Sequence, residues 1–149
     1  MCLKMKNKFV RAVVVFVLVL VSSFCLWAGY VSTKYTVPIL MYHYVNEQEP
    51  KRSRLGVSPW AFERQMRFLR EHKYNVISLD DLSDLVRQKK KIPPKTVVIT
   101  FDDGYMDNYT NAFPILKKYN IPATFFVVIN RIGRHLGNDD YMSWRQIKE

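Results

Sequence analysis

The sequence predicts an α/β fold in which a parallel sheet is covered by helices, preceded by one apolar helix at the N-terminus. Three observations support this prediction. An uncharged run from Ala12 to Thr33 follows a basic N-terminal flank. Beyond that run, short segments rich in β-branched residues alternate with segments of helical apolar spacing. The first, third and fourth of these strand segments are apolar nearly throughout, as expected where both faces of a sheet are covered.

The N-terminal part of the chain predicts a membrane segment. Residues 12–31 are long enough to cross a bilayer, which takes about 20 residues, and the basic residues of 1–11 favour a cytoplasmic flank. We therefore expect a single-pass anchor in the cell membrane with residues 32–149 outside the cell. A cleaved signal peptide, releasing a secreted protein, is the alternative because Val21-Ser22-Ser23 could serve as a cleavage site. The flank contains four basic residues: Lys4, Lys6, Lys8 and Arg11.

Charge and cysteine content narrow the choice of partners. The formal net charge is +10, and the basic residues beyond the flank are dispersed. No recognition helix or aromatic-basic RNA motif is present, so we expect no nucleic-acid partner. Anionic wall polymers or lipid headgroups fit better, and ordinary solvated surface charge is an equally open interpretation. Cys2 lies in the flank and Cys25 in the apolar run, so the exported part has no thiol for a disulfide.

Four strands are predicted after the apolar run, the first tolerating a proline at its start. Pro93-Pro94 ends the unit before the third strand, and long polar segments, 45–57 and 130–140, separate other elements. In order, the strands are Pro38 to Tyr44, Asn75 to Leu79, Lys95 to Ile99, and Ala123 to Val128.

Helices are predicted between these strands. Ser58 is a favoured N-cap residue with Pro59 at the first helical position, and this helix has an apolar face of Phe62, Met66 and Leu69. The next helix starts at Asp80 or Asp81, a third centres on 112–119, and Ser143 caps a last one. Trp60 and Trp144 are expected in the core or in a barrel wall.

Two adjacent carboxylates follow the third strand, in Thr100-Phe101-Asp102-Asp103-Gly104. Like charges side by side are unfavourable unless a metal or a proton is shared. One acid can then bind a cation while its neighbour accepts a proton from water. A simple strand-ending turn is the other interpretation, since Asp and Gly are favoured turn residues.

This pentapeptide resembles the first motif of the polysaccharide deacetylases, the NodB-homology proteins of carbohydrate esterase family four. Similarity extends over about residues 37–149. It includes Pro38-Ile39-Leu40-Met41-Tyr42-His43, Phe113-Pro114-Ile115-Leu116-Lys117-Lys118-Tyr119, Pro122-Ala123-Thr124-Phe125-Phe126-Val127 and Met142-Ser143-Trp144. The resemblance implies a distorted (β/α) barrel that removes acetyl groups from an N-acetylated polysaccharide.

The resemblance also implies roles for single residues. Asp102 would be the catalytic base and Asp103 a ligand of a divalent metal, with zinc the first expectation. The family completes its metal site with a His-(Ser/Thr)-x-x-His motif, which none of the three histidines of this chain forms. His43 and Tyr105 are candidate substrate-binding residues, each with ordinary packing as the alternative. His72, at a helix end, and His135, in a polar loop, are expected to have no part in the site.

Length adds one expectation about completeness. A (β/α) barrel normally takes about 250 residues, whereas residues 32–149 amount to roughly half of that. We therefore expect the first half of a barrel, a truncated domain that is catalytically inactive alone.

The leading hypothesis is a membrane-anchored, metal-dependent deacetylase of an extracellular amino-sugar polysaccharide. Poly-N-acetylglucosamine is favoured by the segment at 38–43, and peptidoglycan or chitin-like oligomers stay open. A non-catalytic, anchored glycan-binding or scaffold protein is the alternative. An aspartyl-phosphate hydrolase would need Asp-x-Asp after its strand, which Asp102-Asp103 does not provide.

Overall fold

The computed structural model describes residues 2–32, 36–48 and 54–149, which divide into two compact units, 1–36 and 37–149. The first unit is a single helix, α1 (Cys2–Ser32). Its stretch Val10–Tyr30 has a mean hydropathy of 2.5 and is not buried. Length and composition allow this helix to cross a membrane, and a signal sequence has the same properties.

The second unit alternates strands and helices. Its strands are β1 (Ile39–Tyr42), β2 (Tyr44–Val45), β3 (Gly56–Val57), β4 (Asn75–Ile77), β5 (Thr96–Phe101), β6 (Thr124–Phe125), β7 (His135–Leu136) and β8 (Asp139–Asp140). Its α-helices are α2 (Pro59–Glu71), α3 (Leu79–Arg87), α4 (Phe113–Tyr119) and α5 (Trp144–Lys148). A π-helical turn, Asn108–Ala112, leads into α4, and a 3-10 turn follows β6 at Ile129–Arg131. The predicted α/β fold is confirmed.

Strand β5 is the centre of a four-stranded parallel sheet. Strand β1 pairs with one edge of β5 over its full length. The carbonyl groups of Lys95 and Phe101 accept hydrogen bonds from Asn75 N (2.9 Å) and Phe126 N (2.8 Å). Because residues of equal parity direct their carbonyls to the same side of a strand, β4 and β6 both lie along the other edge, β4 at the beginning and β6 at the end.

One face of this sheet packs against α2 and α4. All six residues of β5 are buried, and Ile99 and Phe101 contact the apolar face of α2, where Phe62, Met66 and Leu69 are buried as predicted. Phe62 and Phe101 meet edge to face, with ring centroids 5.7 Å apart. Such aromatic packing adds to the burial of apolar area that stabilises the core.

Helix ends follow the local sequence. Ser58 Oγ accepts a hydrogen bond from Ala61 N at 3.2 Å, and Pro59 occupies the first turn, which confirms the predicted start of α2. The predicted start of α3 is wrong by a short distance. The helix begins at Leu79 with Ser78 as its cap, because Asp81 and Ser78 satisfy each other's backbone N–H groups in a capping box.

Several predicted strand boundaries are also wrong. The continuous strand at 38–44 is interrupted at His43, and its last part, β2, pairs with β3 in a separate two-stranded sheet. The fourth predicted strand, Ala123 to Val128, is only two residues long in the structure, as β6. Residues 126–128 are not part of it and lead into the 3-10 turn. Residues 49–53 of the predicted polar loop lie outside the described residues.

The expectation that both faces of the sheet are covered fails at β1, where Ile39 and Met41 are exposed. Trp60 and Trp144 are also not in the core, with 65% and 55% of their surfaces exposed. The Arg64 guanidinium instead lies over the Trp60 ring, with its Cζ atom 4.6 Å from the ring centroid. The helix predicted around 112–119 is longer than expected, because the π-helical turn extends it towards the N-terminus.

Candidate active site

Asp102 is the first residue beyond the central strand. Its backbone N donates to Tyr42 O at 2.9 Å, which is the last ladder bond between β1 and β5. The carboxylate is thereby fixed at the carboxyl end of the sheet, the edge at which ligands bind in parallel α/β folds.

A tight turn separates the two carboxylates. Gly104 N donates to Asp102 O at 2.9 Å, and Asp103, between them, has φ +67°. A three-residue turn with a positive central φ is rare and strained, and strained residues of this kind cluster at functional sites.

Gly104 is required for this turn in two ways. Its φ is +73°, and a Cβ atom there would come within 3.0 Å of Val127 Cγ1. Glycine adopts positive φ without the steric cost that other residues have. The motif therefore needs glycine both for conformation and for space.

His43 is placed beside Asp102 by the register of the sheet. Tyr42 pairs with Phe101, so the next residues along each strand, His43 and Asp102, leave the sheet as neighbours on the same face. His43 Nε2 lies 4.0 Å from Asp102 Oδ2, and 18% and 30% of the two side chains are exposed. This distance exceeds a hydrogen bond and leaves room for an atom of a bound molecule to contact both groups.

A cavity of about 480 Å³ opens beneath the two acids. Its walls are apolar and come from alternate residues of β1 and β5 and from the segment after β6, so a carbonyl group near Asp102 would have little competing polar surface around it. The lining residues are Ile39, Met41, Leu79, Thr100, Asp102, Asp103, Phe126, Val127 and Val128.

Tyr105 lies on the far side of the turn from this cavity. It is 8% exposed, stacks on Tyr44 with ring centroids 4.0 Å apart, and packs against Tyr141. Burial raises the pKa of Tyr105 above its ordinary value, and the hydrogen bond with Tyr44 and the charge of Asp103 raise it further. Tyr105 and Tyr44 both line a second, polar cavity of about 370 Å³.

The other two histidines lie away from the acids. His72 caps the C-terminus of α2, where its ring stacks on Phe68 and Nδ1 lies 3.0 Å from Phe68 O. His135 lies in the short β7–β8 hairpin, with Nδ1 2.7 Å from Asp140 Oδ1.

A polar cluster next to His43 was not predicted from the sequence. Asp107, Asn108 and Asn111, at the beginning of the helical segment before α4, contact the chain that follows His43. Asn108 is fully buried. The only hint in the sequence was that Asn108 lies two residues after Met106, near the start of a helical segment. Polar residues on a protein surface are also common at helix starts, so this position did not indicate burial.

The described residues supply only part of the ligands that a catalytic metal ion needs. Catalytic zinc normally has three protein ligands, and within residues 2–32, 36–48 and 54–149 no group of three or more His, Cys, Asp or Glu side chains could hold an ion. The Asp103 carboxylate fits a first ligand, but the described residues do not fit a complete zinc site.

Comparison with known proteins assigns the family. Residues 89–149 match the model of the polysaccharide deacetylase family. This chain belongs to the polysaccharide deacetylases of the NodB type, a family of hydrolases, as the motif around Asp102 predicted.

The relatives cover most of the second unit. YxkH of Bacillus subtilis, whose name places it among the polysaccharide deacetylases, is 39% identical over 113 residues, which are 76% of this chain and 38% of that protein. The poly-β-1,6-N-acetyl-D-glucosamine N-deacetylase of Staphylococcus aureus is 36% identical over 110 residues, 73% of this chain and 37% of that protein. The chain thus spans well under half the length of these relatives.

A solved structure shows the same fold. The structure of IcaB from Ammonifex degensii matches with a TM-score of 0.68 at 35% identity, covering 75% of this chain and 46% of that one.

Proposed function

We propose that this protein is a deacetylase that removes N-acetyl groups from an extracellular amino-sugar polysaccharide. The observation that carries the proposal is the pair of Asp102 and His43, 4.0 Å apart at the carboxyl ends of adjacent parallel strands and beside a cavity of about 480 Å³. The identity to the Staphylococcus aureus N-deacetylase makes poly-β-1,6-N-acetylglucosamine the favoured substrate, ahead of peptidoglycan.

The reaction is the hydrolysis of an acetamide. Asp102 accepts a proton from the attacking water, and the carbonyl carbon then loses its bond to nitrogen, giving acetate and a free amine on the sugar. The leaving nitrogen needs a proton, and His43 is the titratable side chain that the sheet register brings next to Asp102. Both groups reach the substrate from one side, since they leave neighbouring strands on the same face.

Asp103 is proposed as one ligand of a divalent metal, zinc in the first instance. Such an ion, when bound, would polarise the carbonyl group and acidify water. Asp103 lines the same cavity as Asp102, which supports this role, and its positive φ is a strained conformation of the kind found at functional sites. Tyr105 is proposed to contact the sugar from the second cavity, where it stacks with Tyr44.

The proposal extends to the whole protein. The four-stranded sheet is taken as the first half of a distorted (β/α) barrel, with the free edge of β1 available to a further strand. The helix at Val10–Tyr30 is proposed as a single-pass anchor that holds this domain outside the cell, with a cleaved signal as the alternative.

Acetate release tests the proposal. The protein, expressed from its native gene and purified with its membrane fraction, is incubated with oligomers of β-1,6-linked N-acetylglucosamine, and acetate and free amine are quantified. Equal amounts of both products, greater than from peptidoglycan fragments, are expected. Binding of the oligomer with no acetate above background would instead support the non-catalytic glycan-binding protein.

A further inference from the structure

The segment from His43 to Asn46 is not held by the main sheet. Strand β1 ends at Tyr42, and the next strand, β2, has two residues and pairs only with the two residues of β3. The peptides on the two sides of His43 are bonded to different sheets, Tyr42 O to Asp102 N at 2.9 Å and Tyr44 N to Leu55 O at 3.4 Å. His43 therefore lies at the junction between the two sheets.

A polar cluster binds the backbone just after this junction. Asp107 Oδ2 accepts hydrogen bonds from Val45 N at 3.2 Å and from Asn46 Nδ2 at 2.5 Å. Asn111 Nδ2 donates to Val45 O at 2.7 Å. Both backbone groups of Val45 are thus bound by side chains from the helical segment before α4.

Asn108 connects this cluster to His43 itself. The amide orientation that satisfies its neighbours has Nδ2 donating to His43 O at 2.9 Å and to Asp107 Oδ1 at 3.0 Å, and it is assigned on that basis. Because Asn108 is fully buried, an acceptor in its place would leave two oxygens facing each other without a proton between them. The π-helical turn that begins at Asn108 supports a specialised role, since such turns are frequent at functional sites.

We propose that Asp107 and Asn108 are positioning residues that clamp the backbone of His43–Val45 and thereby hold the His43 imidazole against Asp102. The clamp itself is a property of the fold, while its consequence for turnover rests on the function proposed above. Asp102 and the clamp lie on the same stretch of chain, residues 102–111, so one continuous segment supplies both the base and the support of its partner.

Chemical modification of histidine tests the clamp without requiring activity. The full 149-residue chain, purified in detergent, is treated with diethyl pyrocarbonate, and the rate at each of its three histidines is measured by mass spectrometry. The side chain of His43 is 18% exposed and that of His135 is 64% exposed, so His135 and His72 serve as internal references.

Two substitutions break the clamp in different ways. Asn108→Asp keeps the shape but replaces the donor facing His43 O by an acceptor, and Asp107→Ala removes the acceptor for Val45 N. Each should raise the rate at His43 at least about fivefold through local opening, with the other histidines changed less than about twofold. Asp107→Asn retains an oxygen for Val45 N but places an amide NH₂ opposite the Asn108 donor, so its rate at His43 should lie between those of the unsubstituted chain and Asp107→Ala.

A matched control comes from the same helical turn. Tyr109 donates its hydroxyl to Glu149 and has no contact with the clamp among its hydrogen bonds, so Tyr109→Phe should leave the rate at His43 unchanged. If Asn108→Asp does not fold, the pair Asp107→Ala and Asp107→Asn decides the question. The clamp is contradicted if folded Asp107→Ala modifies His43 at the normal rate, or if Asp107→Asn behaves like Asp107→Ala.

Turnover of the protein expressed from its native gene gives a second, coupled measurement. Positioning errors at a reacting group reduce turnover strongly, so Asn108→Asp should lower kcat by about tenfold or more with KM changed less than about twofold. In a His43→Ala background the same substitution should have almost no further effect, because the group that it positions is gone. Equal reductions of kcat in both backgrounds would contradict the clamp. Absence of acetate release from the unsubstituted protein would contradict the proposed function, and the clamp would then be tested by the modification rates alone.

Discussion

Gly104 shows how strongly single residues of the first motif are constrained. The strand ends at Phe101, yet within three residues the chain must present two carboxylates and reverse direction beside Val127. Asp103 takes a backbone conformation that most residues avoid, and Gly104 takes a second one directly after it. Two consecutive positive φ angles are the structural cost of placing two adjacent acids in this turn.

Gly104→Ala is expected to destabilise the fold by more than backbone strain alone. Strain at positive φ costs about 1–2 kcal/mol, and the added Cβ would also press on Val127 Cγ1 at 3.0 Å. The free energy of unfolding in urea measures the loss. Gly137→Ala is the matched control, because its φ is +64° and no atom lies within 4 Å of the added Cβ. Equal losses at both positions would show that the contact with Val127 does not matter.

In the protein expressed from its native gene, Asp103→Ala is expected to lower bound zinc, as measured by mass spectrometry of the metal in the purified protein. The reason is that removing one of about three protein ligands weakens a catalytic zinc site. Asp139→Ala removes a carboxylate that is distant from Asp102 in the β7–β8 hairpin and should leave the metal content unchanged. Unaltered zinc in Asp103→Ala would refute the ligand role.

At the scale of elements, sequence chemistry fixes some boundaries better than others. The start of α2 could be predicted because Ser58 and Pro59 form a combination that is favoured at helix starts and unsuited to helix interiors. The start of α3 could not, since Ser78, Asp80 and Asp81 are all good caps and only the reciprocal bonds of Ser78 and Asp81 decide among them. The interruption at His43 was also hidden, because residues 38–44 are equally suited to one strand or to two.

Ser58→Ala should destabilise the domain by about 1 kcal/mol, because the hydrogen bond to Ala61 N is lost at the start of the helix that covers the sheet. Ser83→Ala, at an exposed position inside α3, should be neutral or slightly stabilising since alanine has the better helix propensity. Urea unfolding of both variants measures the difference. A Ser58→Ala variant as stable as the unsubstituted chain would show that α2 does not depend on this cap.

At the scale of the whole molecule, the core connects stability to pH. Tyr42 packs between Phe62 and Phe101 and donates its hydroxyl to Gln65 at 2.8 Å. Burial raises the pKa of Tyr42 from 10.0 to about 12. The folded state therefore holds this proton more tightly than the unfolded state. The resulting stability is complete below pH 10 and is lost as the pH rises from 10 to 12.

Tyr42→Phe should remove this part of the alkaline sensitivity. Between pH 8 and pH 11 the unsubstituted chain should lose about 1 kcal/mol more than the variant, since one pKa unit corresponds to about 1.4 kcal/mol. Urea midpoints at the two pH values provide the measurement. A parallel decline of both proteins would mean that Tyr42 ionises equally in the folded and unfolded states.

The N-terminal helix is expected to hold the protein in the membrane with Asp102 outside. The apolar stretch Val10–Tyr30 is long enough to span a bilayer, and the basic flank favours the cytoplasm. Protease treatment of intact cells should remove the domain and leave a membrane-bound stub. A soluble product that begins near Phe24 would show signal cleavage instead.

Much of the site could be inferred before any coordinates. The pentapeptide around Asp102 indicated chemistry because adjacent acids after a buried strand are unfavourable without a metal or proton to share. The sequence predicted that His43 and Asp102 lie at the same end of the sheet, because each follows a parallel strand. It did not predict that they are adjacent, because that depends on which strands pair. The clamp by Asp107 and Asn108 could not be inferred, because only burial distinguishes it from polar residues on a surface helix.

Replacement of Asp102 by asparagine is the most direct test of the proposed chemistry. Asparagine keeps the shape of the side chain but cannot accept a proton from water. In the protein expressed from its native gene, acetate release from β-1,6-linked N-acetylglucosamine oligomers should therefore fall by about 10²–10⁴-fold. Zinc content should stay unchanged in the same preparation, since the proposed ligand is Asp103. Turnover within about twofold of the unsubstituted protein would contradict the assignment of Asp102 as the base and with it the account of the site.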